Sequence, residues 1–158
     1  MEAFALINRG IAAAAATGAE VDRVDFLRPL AEAYSAMNRF DDALDTLAKM
    51  LEIGQQHQDL YLEAEIYRLK GELLLRRGDL RTTEAKACFQ RGMEIARHQN
   101  AKSLELRATT SLARLLASQG HREEARTMLA DIYSWFTEGF DTSDLKDAKA
   151  LLDELATE

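Results

Sequence analysis

The stretch LARLLASQGHREEARTML, residues 112–129, repeats a pattern that the chain has already used in LAEAYSAMNRFDDALDTL, residues 30–47. In the later copy, apolar residues recur at intervals of three and four on both sides of Gly120, which predicts two amphipathic helices. Gly120 and its counterpart Asn38 belong to the residue types that best tolerate the left-handed backbone conformation at the end of a helix. Each copy therefore predicts a helix, a tight turn and an antiparallel helix.

A third copy, YRLKGELLLRRGDLRTTEAKACF at residues 67–89, lies between the other two. It places Gly78 at the turn, but two more residues separate this turn from the next small residue than in the other copies. The insertion predicts a longer turn over residues 80–83, with Thr82 or Thr83 as the N-cap of the next helix. All three copies carry small residues that would let helices approach closely: Ala31, Gly71 and Ala113 in the first helices, and Ala43, Ala85 and Ala125 in the second.

The repeated pattern resembles the tetratricopeptide repeat (TPR), in which pairs of antiparallel helices stack with a period of about 34 residues. Here Asn38, Gly78 and Gly120 are 40 and 42 residues apart, so we expect longer helices. The expected fold is all-α, a right-handed TPR-like α-solenoid of about eight antiparallel helices with a C-terminal capping helix.

Residues 1–158 are predicted to form one domain. It comprises a half repeat at 1–20, repeats at 21–59, 60–100 and 101–137, and the capping helix within 138–158. The helices are expected at roughly 2–17, 22–37, 40–57, 60–77, 82–99, 101–119, 121–136 and 143–156. Because Pro29 lacks a backbone N–H, the second of these helices should begin near Asp25 or bend at the proline.

Composition narrows the classes of function. The net charge of -7 disfavours a protein that tracks nucleic-acid phosphates, and no apolar stretch approaches the length of a membrane span. Cys88 is the single cysteine of the chain, which fits a reducing, cytoplasmic compartment. The charge is uneven, because residues 61–120 carry 11 basic and 7 acidic side chains (+4) while both flanking parts are acidic.

Longer strings resemble one group of TPR proteins. EAEIYRLKGELLLRRGD (63–79), AKSLELRATTSLARLL (101–116) and YSWFTEGFDTSDLKDAKALLDEL (133–155) resemble the C-terminal TPR region of large bacterial signalling proteins. Those proteins join a cyclase-like or DNA-binding output domain to a P-loop signalling ATPase and then to the helical array. The resemblance implies a regulatory arm that binds an inducer or partner and controls the ATPase. This chain has no G-x-x-x-x-G-K-[ST] motif, so we expect the arm without the ATPase.

A candidate partner-binding groove follows from the TPR geometry, because the first helix of each pair would line the concave surface. Two interpretations stay open: an ordinary solvated face with charge pairs at spacings of three and four, or an arginine-rich groove that recognises carboxylates. In both, Arg68 and Arg114 are expected at the surface. The candidate residues are Arg28, Glu32, Glu65, Arg68, Glu72, Arg76, Arg107, Thr110 and Arg114.

The expected function is a non-catalytic interaction or ligand-sensing module that binds a protein or peptide partner, an acidic segment being one option. A second expected partner is the ATPase or cyclase domain of a parent protein. We expect no catalytic residues, no cofactor, no metal site, no direct nucleic-acid contact and no membrane contact, because no motif for these is present. The alternative is a self-assembling module or homodimer, formed through apolar residues within 4–15.

Two smaller features carry expectations of their own. Trp135, Phe136 and Phe140 are expected to form a hydrophobic plug under the last helix rather than a ligand site. Cys88, beside Phe89, is expected to be a buried small apolar residue.

Overall fold

The computed structural model describes residues 9, 13, 16, 20–57, 61–78 and 81–157. Within these ranges the chain forms seven α-helices and no β-strand, which confirms the predicted all-α class. The helix expected at 2–17 falls almost wholly outside the described residues. The helices are α1 (Glu20–Ala36), α2 (Phe40–His57), α3 (Glu63–Arg76), α4 (Thr82–His98), α5 (Lys102–Ser118), α6 (Arg122–Tyr133) and α7 (Ser143–Ala156).

The extent of α1 rules out one of the two alternatives expected at Pro29. The helix spans Glu20–Ala36, so it does not begin near Asp25, and Pro29 lies inside it. A proline in a helix interior costs about 3 kcal/mol, but Leu27 and Leu30 on either side of Pro29 are both buried. Burial of each leucine contributes about 1.5–3 kcal/mol, so packing of this face offsets the lost hydrogen bond.

The turns between helices adopt the backbone conformation that the sequence predicts. The φ angles are 58° at Asn38, 74° at Gly78 and 85° at Gly120. After Asn38 the next N–H donates to the carbonyl five residues back, from Arg39 to Tyr34 at 2.9 Å, and the same bond follows Gly120. This bond closes a Schellman-type helix end. Asn100, with φ of 54°, ends α4 in the same way. Aligning the three copies of the sequence pattern did not predict this turn.

The predicted helix caps are wrong in detail. Arg81 is the residue before α4, and Thr82 is already the first helical residue, so neither Thr82 nor Thr83 is the N-cap. Thr142 is the N-cap of α7, and its hydroxyl donates to the carbonyl of Gly139 at 2.7 Å and makes no capping bond to the helix. Neither α4 nor α7 therefore begins with a side-chain capping bond.

Helix packing buries the predicted small residues. Each helix contacts the next along the chain, and α3 also contacts α5, while α5 contacts α7. Ala43, Ala85 and Ala125 are each 0% exposed, as expected. A Cβ atom on Gly71 would lie 2.5 Å from Cε1 of Phe89, so α3 and α4 approach closely because position 71 has no side chain.

The aromatic residues after α6 do not form the expected plug. Trp135 is 58% exposed and Phe140 is 48% exposed, whereas Phe136 packs against the core. The core next to α7 is filled instead by side chains of α7 itself, such as Leu145. Cys88 is half-buried and packs against the same core, and burial raises the pKa of its thiol.

None of the helices that the structure describes combines the length and the apolar character needed to cross a membrane.

Candidate functional site

Three neighbouring depressions lie along α1, α3, α5 and the start of α7. One depression of about 150 Å³ lies between α1 and α3, a second of about 330 Å³ between α3 and α5, and a third of about 110 Å³ where α5 meets α7. Glu72 borders the first and the second depression, while Ser111 and Arg114 border the second and the third. We call these three adjoining depressions the groove.

The groove contains most of the residues that the sequence singles out. Glu65 lies beneath it and is 3% exposed, while Arg28 is exposed but does not border any of the three depressions. Seven candidate residues border the groove: Glu32, Arg68, Glu72, Arg76, Arg107, Thr110 and Arg114.

A buried carboxylate organises the middle of the groove. Oε1 of Glu65 lies 2.7 Å from Nη2 of Arg68, and Oε2 accepts a hydrogen bond from Nε of Arg68 at 2.8 Å. Nη2 of Arg107 lies 3.0 Å from the same Oε1. A buried carboxylate without such partners would strongly oppose folding, so two arginines of the groove are already engaged in neutralising Glu65.

Arg68 is not the surface residue that the sequence predicts, because its side chain is only 11% exposed. It also contacts Glu72, whose Oε1 accepts from the Ser111 hydroxyl at 2.9 Å. Burial opposes the charged form of Arg68, but the bonds and charges of the two glutamates outweigh it and hold the pKa above its ordinary value. The predicted charge pairs at spacings of three and four are therefore present between Arg68 and the two glutamates. The sequence did not predict that α5 also binds these glutamates, through Arg107 and Ser111.

Two further arginines connect helices across the groove. Nε of Arg107 lies 3.5 Å from Oδ1 of Asp144, so this α5 residue joins α3 to the first turn of α7. Arg76 of α3 donates to the hydroxyl of Ser35 and, at 3.2 Å, to the carbonyl oxygen of Ser35 in α1. These side chains hold the helices of the groove together.

Arg114 differs from the other arginines of the groove. Its side chain is exposed where the second and third depressions meet, and among the described residues neither an ion pair nor a side-chain hydrogen bond reaches it, whereas the exposed Arg76 is held by Ser35. Thr110 is buried, and its hydroxyl donates to the carbonyl of Leu106 at 2.8 Å. Arg114 is therefore the exposed basic group of α5 in the groove.

Sequence reasoning missed the serine and the aspartates of the groove. Ser111 shares a helical face with Arg107 and Arg114, because the three lie at spacings of four and three, and this signal was available. Asp144 and Asp147 reach the groove only through the packing of α7 on α5, which no local pattern of sequence reveals.

The groove combines polar and apolar groups. It offers guanidinium, carboxylate and hydroxyl groups beside apolar side chains such as Leu73 and Leu75. Within the described part of the chain, no three His, Cys, Asp or Glu side chains are placed to hold a metal ion.

No protein-family model matches the sequence, and no curated protein matches it.

Proposed function

We propose that the chain is a TPR-like α-solenoid that acts as an interaction or ligand-sensing module. The observation that carries the proposal is the groove, whose three adjoining depressions follow one another along α1, α3, α5 and the start of α7. The equivalent burial of Ala43, Ala85 and Ala125 supports the repeat. Residues 2–17 would supply the eighth helix of the stack.

The groove would bind a segment of a protein or peptide, with a carboxylate of that segment on Arg114. Four arginines were expected to share this role, but Arg68 and Arg107 already neutralise Glu65. Arg114 has a free guanidinium at the junction of two depressions. A bond between a guanidinium and a carboxylate is among the strong hydrogen bonds that proteins form.

We propose further that the module is a cytoplasmic regulatory arm of a bacterial signalling ATPase. The family resemblance of residues 63–79, 101–116 and 133–155 is the support for this setting. In that setting the ligand of the groove is a segment of an ATPase or cyclase domain, and the module itself is not catalytic.

A selection experiment tests the binding function without a known partner. Random dodecapeptides displayed on phage are selected on the wild-type protein, and synthetic copies of the enriched peptides are titrated by calorimetry. We expect peptides with Asp, Glu or a free C-terminal carboxylate, and a loss of affinity of about tenfold or more in Arg114→Glu. The matched control is Arg91→Glu, which makes the same charge change at an exposed position of α4.

Three results would contradict the proposal. One is a selection that enriches no peptide at all. Another is a selected peptide that binds Arg114→Glu as tightly as wild type. A third is an equal loss of affinity in Arg91→Glu, since that loss would reflect net charge rather than the groove.

The alternative function, self-assembly through residues within 4–15, concerns a segment outside the described residues. Light scattering over a range of protein concentrations decides it, because a strict monomer at high concentration would remove this alternative.

A further inference from the structure

A second cleft, of about 650 Å³, opens beside α6, where the end of α4 and the start of α5 complete its walls. It shares no described residue with the groove. Its volume lies in the range of sites that bind ligands and peptide side chains. This cleft is therefore a surface separate from the groove.

One face of α6 and the turn after it supply an acidic and apolar stripe to this cleft. Glu124, Met128 and Asp131 lie at spacings of four and three, so they share a face of α6, and Trp135 follows in the turn after the helix. Leu129 is buried in the core, and Met128 is half-buried and packs against it. The exposed groups of the stripe are therefore the two carboxylates and the indole of Trp135.

Both basic residues of the cleft are engaged with one carboxylate. Nε of Arg97 lies 2.6 Å from Oε1 of Glu105, and Nζ of Lys102 lies 2.8 Å from Oε2. In contrast, no ion pair reaches Glu124 or Asp131 among the described residues, while Glu123 pairs with Arg126, which does not border the cleft. The lining has four carboxylates against these two basic groups, so negative charge is in excess.

Trp135 supplies a surface that attracts cations. Nζ of Lys102 lies 5.8 Å from the centroid of its indole ring, within the range of a cation–π contact. Phe136 packs edge-on against the same indole, with centroids 5.2 Å apart and an interplanar angle of 83°. The ring is thus supported from one side and still 58% exposed, so a guanidinium from outside could stack on it.

We propose that this cleft binds a basic segment of a partner protein, with an arginine side chain stacked on Trp135 and its charge facing Asp131 and Glu124. Charge complementarity selects this occupant, because the cleft is acidic and its own basic groups are engaged with Glu105. Arginine is preferred over lysine, since a planar guanidinium stacks on an indole while donating to carboxylates. Tryptophan and arginine are also the side chains that most often dominate the energy of protein interfaces.

The test uses the single tryptophan of the chain as its own reporter. An arginine nonapeptide is titrated into the protein at about 0.15 M salt, near physiological ionic strength. We expect a saturable change in Trp135 fluorescence. A lysine nonapeptide should bind with lower affinity, by about threefold or more.

Matched variants separate the cleft from the acidic character of the whole protein. The double change Glu124→Gln with Asp131→Asn should weaken binding of the arginine peptide by about fivefold or more. The control is Asp45→Asn with Glu52→Gln, two exposed positions of α2 with the same seven-residue spacing and the same change of charge. The control should change affinity by less than about twofold.

Four results would overturn the proposal: no saturable fluorescence change, equal binding of the two peptides, no effect of the cleft double variant, or equal weakening in the control. A last variant, Trp135→Phe, is measured by anisotropy of a fluorescein-labelled arginine peptide. It should retain the helical circular dichroism of wild type and bind the peptide more weakly, and unchanged binding would also contradict the stacking role.

Discussion

Glu65 of α3 and Arg107 of α5 form an ion pair between two different repeats, with Oε1 and Nη2 3.0 Å apart. Arg107 continues to Asp144 of α7, so one buried carboxylate connects three helices through a single arginine. The pair explains why an arginine-rich groove is not strongly basic. Two of its four arginines, Arg68 and Arg107, balance carboxylates of the same chain. Arg76 is exposed but donates to Ser35, and Arg114 is exposed without such a partner among the described residues.

The first prediction concerns the stability that Glu65 provides. Changing Glu65→Ala would leave the buried Arg68 with one carboxylate partner fewer, and loss of a buried partner costs about 3–5 kcal/mol. We expect a loss of free energy of unfolding of about 3 kcal/mol in urea denaturation. The control Glu94→Ala, which removes an exposed pair with Arg91, should cost less than about 1 kcal/mol. Similar losses in both variants would mean that the buried pair is not structural.

A second prediction concerns the close contact at Ala125. This residue is 0% exposed, so Ala125→Phe should overpack the core and lower the free energy of unfolding by about 1–3 kcal/mol. Ala130→Phe, at an exposed position of the same helix, is the control and should stay within about 0.5 kcal/mol of wild type. A neutral Ala125→Phe variant would refute the assigned helix register.

Glu105 leads to a prediction about pH. Burial raises the energy of its charged form, but hydrogen bonds from Lys102 and Arg97 outweigh this and hold the pKa of Glu105 below its ordinary value. The unfolded chain therefore binds the proton more readily, and the contribution of Glu105 to stability is present above about pH 4.3. It is lost as the pH falls through the lower pKa of the folded state.

The measurement is urea unfolding of wild type and of Glu105→Gln, at neutral pH and at several lower values. Glutamine cannot titrate, so the variant should lose less stability than wild type on acidification. If both proteins lose the same free energy of unfolding over this range, Glu105 does not carry the proposed linkage.

The local features of this fold were predictable from the sequence because their causes are local. Periodic apolar residues located the seven described helices, and Asn38, Gly78 and Gly120 marked turns with positive φ. The small residues at 43, 85 and 125 were predicted to be buried because three copies could be aligned. Repetition within one chain therefore supplied the contact information that a single copy lacks.

The site was less predictable, because its geometry depends on how distant helices pack. The sequence pattern of its own helix places Arg68 at the surface, but its side chain is only 11% exposed. Both of its glutamate partners are also bound from α5, Glu65 by Arg107 and Glu72 by Ser111. The exposure of Trp135 depends on where α6 ends relative to the start of α7, and hydrophobicity alone predicted the opposite. Of the two alternatives expected for Pro29, the helix start near Asp25 was wrong, because local propensity does not take account of the burial of Leu27 and Leu30 beside the proline.

The most direct test of the central claim is to map where a selected acidic peptide lies on the protein. The photoreactive amino acid p-benzoylphenylalanine is placed at Ser118, an exposed residue that borders the second depression, or at Arg91 on α4 as the control. After irradiation, the cross-linked peptide is identified by mass spectrometry. Binding in the groove predicts a cross-link from position 118 that disappears in the Arg114→Glu background, and none from position 91. A peptide that binds with unchanged affinity but cross-links only from position 91 would contradict the proposed groove.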